Sequence, residues 1–158
     1  MAFALRLFAL LALALLAGCV SEPPRRPLQP VLAPGQAQRD TEHLAAFKAV
    51  LLGNQLSPAV SGAGSGELVA VFDRDTGLLR WKVSFSGLSG PVSRAMFHRG
   101  KHGAEVLPVG SDVTSHYEGR ATLSPAQQDD LLAGRWHVRI STARNPQGEI
   151  GGRLIEQH

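Results

Sequence analysis

The residue types able to do chemistry in this 158-residue chain are few and scattered. There is one thiol, Cys19, and there are six histidines. Met96 and His98 sit two apart, which in an extended strand puts both on one face, and a thioether beside an imidazole suits copper(I). His102 follows His98 across a Gly-containing segment, where that spacing fixes nothing. His116 and His137 could join them only if the fold brings separate segments together. The acids Asp112, Glu118, Asp129, Asp130 and Glu149 are spread along the chain, and no Ser-His-Asp order stands out. Acid–base or nucleophilic catalysis therefore has no constellation behind it, and the chain is not expected to be an enzyme.

The thiol has a more specific context. Arg6 is followed by an unbroken apolar run from Leu7 to Leu16 and then by Ala17 and Gly18. Such a run is shorter than the roughly 20 residues a membrane span requires and matches the apolar segment of a secretory signal. Leu16-Ala17-Gly18-Cys19 resembles the lipobox of bacterial lipoproteins. The resemblance implies cleavage before Cys19, a diacylglyceryl group on its sulfur and acylation of the new amine. Several acyl chains on one residue give lasting attachment, where one alone gives about 0.8 kcal/mol per buried CH₂ and only marginal binding. With that thiol capped, neither a disulfide nor cysteine catalysis remains. Val20 stands where an Asp would be the family's inner-membrane retention signal, so the resemblance implies the outer membrane, facing the periplasm.

Residues 1–18 are thus expected to be a signal peptide, and 19–40 a lipidated cysteine with a tether. Pro23, Pro24, Pro27, Pro30 and Pro34 fall in that tether, which favours extended conformations of about 3.1 Å per residue. Residues 41–158 suffice for one domain. Arg6 is the only charge before Cys19, so 15 of the 16 Lys and Arg residues remain against 13 acids. With the arginines scattered and no aromatic-basic platform, nucleic acid is not an expected partner.

The elements that must position these residues read mostly as strands. Leu79, Trp81, Val83 and Phe85 alternate with Arg80, Lys82, Ser84 and Ser86, the period of a half-buried strand. Asp73-Arg74-Asp75-Thr76-Gly77 joins it to a preceding strand at 66–72 as a hairpin. Further strands are expected at 92–98, 104–109, 113–123, 136–141 and 149–155. Ser124, Pro125 and Gln127 form a capping box for one short helix, with Leu131, Leu132 and Ala133 on its apolar side and Gly134 at its end. Residues 41–52 fit helical and strand spacing equally. Trp81 and Trp136 fall on apolar faces and are expected in the core.

Phe47-x-Ala49-x-Leu51-x-Gly53, Gly66, Asp75-Thr76-Gly77, Phe85-Ser86-Gly87-Leu88, Leu132-Ala133-Gly134-Arg135-Trp136 and Asn145-Pro146-Gln147-Gly148-Glu149-Ile150 together resemble the CHRD domain, first named for chordin. The resemblance spans roughly 45–155, and its most specific part is the turn carrying Asn145, Pro146, Gly148 and Glu149. It implies an all-β, immunoglobulin-like Greek-key β-sandwich, and a strand rather than a helix at 43–52. The family pattern carries His-x-His where this chain has Met96 and His98, and a further His where it has Ser141. The depleted pattern makes a metal site unexpected, leaving Met96, His98, His116 and His137 as weak candidates and solvent-facing histidines as the stronger account. Glu149 is expected to satisfy turn amides or to pair with Arg139 or Arg153.

The resulting expectation is a membrane-anchored cell-envelope lipoprotein whose domain is a non-enzymatic binding or structural module. Its partners would be the membrane, through the lipid, and an envelope protein or wall component met through loops at 61–65, 99–103 and 110–115. The competing expectation is a copper- or zinc-binding redox or metal-handling protein, since copper-zinc superoxide dismutases also use a sandwich.

Overall fold

The computed structural model describes residues 41–158; Cys19, the signal segment and the Pro-rich stretch lie outside them. The ambiguous stretch is a strand, β1 (Leu44–Leu52), with Ala45, Phe47, Ala49 and Leu51 buried and the residues between them turned outward. The period of two prevails because β1 lies between neighbours and has one face to bury.

Eight strands and a helix follow. They are β2 (Ser65–Asp73), β3 (Leu78–Ser86), β4 (Val92–Arg99), β5 (Glu105–Pro108), β6 (His116–Thr122), α1 (Pro125–Leu132), β7 (Trp136–Thr142), β8 (Ile150–Arg153) and β9 (Ile155–Gln157). The fold is all-β with one short helix. Its strands form one curled antiparallel sheet in the order β5-β4-β7-β8-β1-β2-β3-β6, with β9 beside β1. The two layers expected of a sandwich are therefore two halves of one sheet, linked through the Leu52–Gly151 pair. The neighbours β3–β6 and β4–β7 are the Greek-key crossovers.

Three details differ from the sequence reading. Val113 is buried but precedes β6, which starts at His116, because Asp112–Ser115 turns before the strand pairs. The closing stretch is two strands: β8 pairs with β7 and β9 with β1, and Leu154 between them is buried and bonded through its N–H to the Trp136 carbonyl. In α1 only Leu131 is buried, since two helical turns offer a single inward position. The predicted capping box is present, with the Ser124 N–H on Gln127 Oε1 at 2.9 Å and the Gln127 N–H on Ser124 Oγ at 3.4 Å. Gly134 takes a φ of +65°, the left-handed conformation that ends the helix.

The core lies between the inner faces. Trp81 of β3 meets Phe97 of β4 edge-on at 5.2 Å, and Phe97 meets Trp136 of β7 at 5.3 Å. Each such ring contributes about 1.5–3 kcal/mol through burial. Trp81 also donates from Nε1 to the Val109 carbonyl at 3.1 Å. Gly119, opposite Trp81 on β6, makes room for it: a Cβ there would lie 2.5 Å from the indole. Gly119→Ala is expected to cost about 1–3 kcal/mol by overpacking, measured by denaturant unfolding; an unchanged midpoint would mean that the indole has space to move.

Candidate functional site

The signature turn between β7 and β8 is built on Asn145. Its N–H bonds the Thr142 carbonyl at 3.2 Å, and its carbonyl accepts from Gly148 N–H at 3.0 Å. Gly148 has a φ of +122°, and a Cβ there would press on the Arg139 side chain, so glycine is required twice over. Pro146 stays exposed at the tip. The turn delivers Glu149, only 4% exposed, into a cage of donors. Glu149 Oε1 accepts from Ser89 N–H at 2.6 Å, while Oε2 accepts from the Ser89 and Thr142 hydroxyls, each at 2.6 Å. Burial alone would raise its pKa, but the Ser89 hydroxyl, the Thr142 hydroxyl, the Ser89 amide and Asn145 outweigh it and lower the value to about 2.

Of the two alternatives expected for Glu149, one is realised. It satisfies a turn amide, as anticipated, but it pairs with neither arginine. Arg153 donates to the Gly134 carbonyl at 2.7 Å and Arg139 to the Lys101 carbonyl at 2.7 Å. Both arginines spend donors on main-chain carbonyls, while the β3–β4 loop brings the Ser89 amide and hydroxyl against the acid. Ser89 and Thr142 were not singled out from the sequence. The signal was present in the acid itself, since a carboxylate drawn into a turn needs neutral donors close by in the fold. A carboxylate so held is ionised throughout the physiological range and has its lone pairs occupied. It clamps the β3–β4 loop to the end of β7; it is not poised for proton transfer.

The weak metal candidates do not converge. His116 lies exposed on β6, near Ser115 Oγ at 3.3 Å, in the other half of the sheet from His98 and His137. Met96 is half-buried opposite Arg139. Only His98 and His137 are cross-strand neighbours. The expectation of solvent-facing histidines fails for His98, which is 7% exposed. The loop after β4 folds over it, placing the Gly103 carbonyl 3.4 Å from Nδ1, and Arg139 pins that loop through Lys101. Strand alternation cannot foretell a loop lying across the outer face. Burial depresses the pKa of both histidines, and nearby cations reinforce it, Arg139 and Arg94 at His98, Arg153 and Lys101 at His137.

Among the described residues one group of three, His43, Asp73 and Asp75, brings its ligand atoms within 4.8 Å of one another. Asp73 already serves the hairpin turn, accepting from the Asp75 and Thr76 amides at 2.9 and 3.2 Å. The bond from Thr76 holds its carboxyl below the ordinary carboxylate range. Asp73 thus has a role in the turn that needs no ion.

Of the three expected contact loops, two share an end of the domain with the clamp. A Cβ on Gly87 would strike the Ala63 carbonyl, and Asp112–Ser115 forms a groove of about 410 Å³ with residues 85–92. The third, at 99–103, lies at the opposite end of β4.

The architecture is an all-β domain whose buried acid ties its crossing loop to its closing hairpin. The CHRD domain family model matches residues 47–154, and the chain belongs to that family. No curated protein and no solved structure matches it.

Proposed function

We propose that the chain is an exported lipoprotein whose CHRD domain acts as a non-enzymatic binding or structural module at the cell envelope. The observation that carries this reading is Cys19, the lone cysteine, placed directly after Arg6, the apolar run 7–16 and the small pair Ala17-Gly18. Residues 20–40 would serve as the tether, and the outer membrane facing the periplasm is the favoured site. The clamped end, with its groove between 85–92 and 112–115, is the contact surface offered to an envelope protein or wall component.

The test begins with Cys19→Ser. Wild-type protein is expected to take up labelled palmitate and to sediment with membranes, whereas the variant is expected to lose the label and become soluble. Membrane association that persists without the label would defeat the anchor. A second arm captures partners from envelope membranes and purified wall, comparing wild type with a chain whose Asp112–Ser115 loop is replaced. Capture that is identical for the two would remove this surface from the proposal.

A further inference from the structure

The outer face of β1, β2, β3 and β6 carries a groove of about 630 Å³ whose floor includes Leu44, Val69, Val71 and Leu78. Leu44, Val69 and Val71 are 37%, 40% and 44% exposed, an unusual concentration of aliphatic surface on one sheet face. The register sets out the charges beside it as rows. In one row Val69, Lys82 and Glu118 lie side by side, with Lys82 bonded to Glu118 at 2.8 Å. On the neighbouring strand pair Lys48 bonds Glu67 at 2.7 Å. The row two residues further along β2 is different. Val71, Arg80 and Arg120 are successive cross-strand partners, so two arginines stand directly opposite one another.

Like charges directly opposed on adjacent strands destabilise a sheet. Both arginines are exposed, and among the described residues neither forms an ion pair or a hydrogen bond, whereas Lys48 and Lys82 each have an acid. The sequence thus keeps an unneutralised guanidinium pair beside an apolar groove. We infer that this groove binds a single-chain anionic amphiphile, its carboxylate or phosphate head between Arg80 and Arg120 and its aliphatic chain over Val71, Val69 and Leu44. Guanidinium forks suit such heads, forming bidentate charge-assisted hydrogen bonds. The volume falls in the range of small-molecule sites, about 300–1,000 Å³. A free amphiphile fits better than a bilayer surface. With Lys82 and Glu118 neutralising each other, the unpaired positive charge of the lining is confined to Arg80 and Arg120, a patch the size of one head and not of a leaflet.

This site lies apart from the clamped loops and does not depend on lipid at Cys19, so its failure leaves the anchor reading standing. Calorimetric titration of the full chain with decanoate, kept below its micelle concentration, is expected to show saturable binding of one molecule. Decyltrimethylammonium should not bind. Combined Arg80→Gln and Arg120→Gln should weaken decanoate by roughly tenfold or more. The thermal midpoint of that variant should hold or rise, because an unfavourable pair has been removed. Arg80→Lys, which keeps the charge but loses the fork, should bind more weakly than wild type and more tightly than the double variant. Equal binding of the cationic amphiphile, undiminished affinity in the double variant, or a lowered midpoint would each overturn the inference. So would retention on anionic vesicles without binding of monomeric decanoate, which would mark the face as a membrane-docking surface.

Discussion

Replacing Trp136 by alanine is expected to lower the unfolding free energy by about 3–5 kcal/mol, the range for deleting a large buried ring. Trp136 is fully buried, stacks at a tilt on Phe97, and lies at the start of β7 where the main chain also receives the Leu154 amide. Its Nε1 is buried without a hydrogen-bond partner among the described residues. Trp136→Phe therefore removes an unmet donor while keeping most of the apolar contact, and should cost less than about 1.5 kcal/mol. Urea unfolding of both variants checks the pair. A loss below about 1 kcal/mol for the alanine variant would mean that the ring is not a structural centre.

Glu149→Ala is expected to cost about 3–4 kcal/mol by the same measurement, because it leaves the Ser89 amide and two hydroxyls without their acceptor. The carboxylate also gives this effect a pH signature. Its folded pKa of about 2 lies below the ordinary 4.5, so its charge favours the folded state above pH 4.5. That contribution is lost as pH falls from about 4.5 towards 2. His98 and His137 act earlier. With folded pKa values depressed below 6.5, they stay neutral in the fold while the unfolded chain takes up protons, so stability declines as pH falls through that value. A stability profile should show both limbs. Glu149→Gln should flatten the lower limb alone; an unaltered lower limb would show that another acid governs it.

Local pattern was strong where one face of a strand is dry and the other wet. Leu79, Trp81 and Val83 announced β3 to the residue, and the Asp73–Gly77 turn announced its hairpin, because alternation and turn chemistry are short-range properties. Ser124 and Gln127 did the same for α1. The candidate site was legible only in outline. The Asn145–Glu149 motif could be seen, but not the partners of its acid, since Ser89 lies 60 residues away and joins Glu149 only when the β3–β4 loop is drawn across the closing hairpin.

By itself the sequence determined an all-β domain of CHRD type, its hairpin and helix boundaries, and the chemical singularity of Cys19, since each is written in neighbouring residues. Tertiary structure alone decided which residues face one another. It buried His98 beneath a loop, kept His116 away from His98 and His137, and gave Glu149 hydroxyl donors in place of arginine. It also aligned Arg80 with Arg120, a juxtaposition invisible in sequence because cross-strand register is fixed by the burial of the opposite face and not by the charged residues themselves.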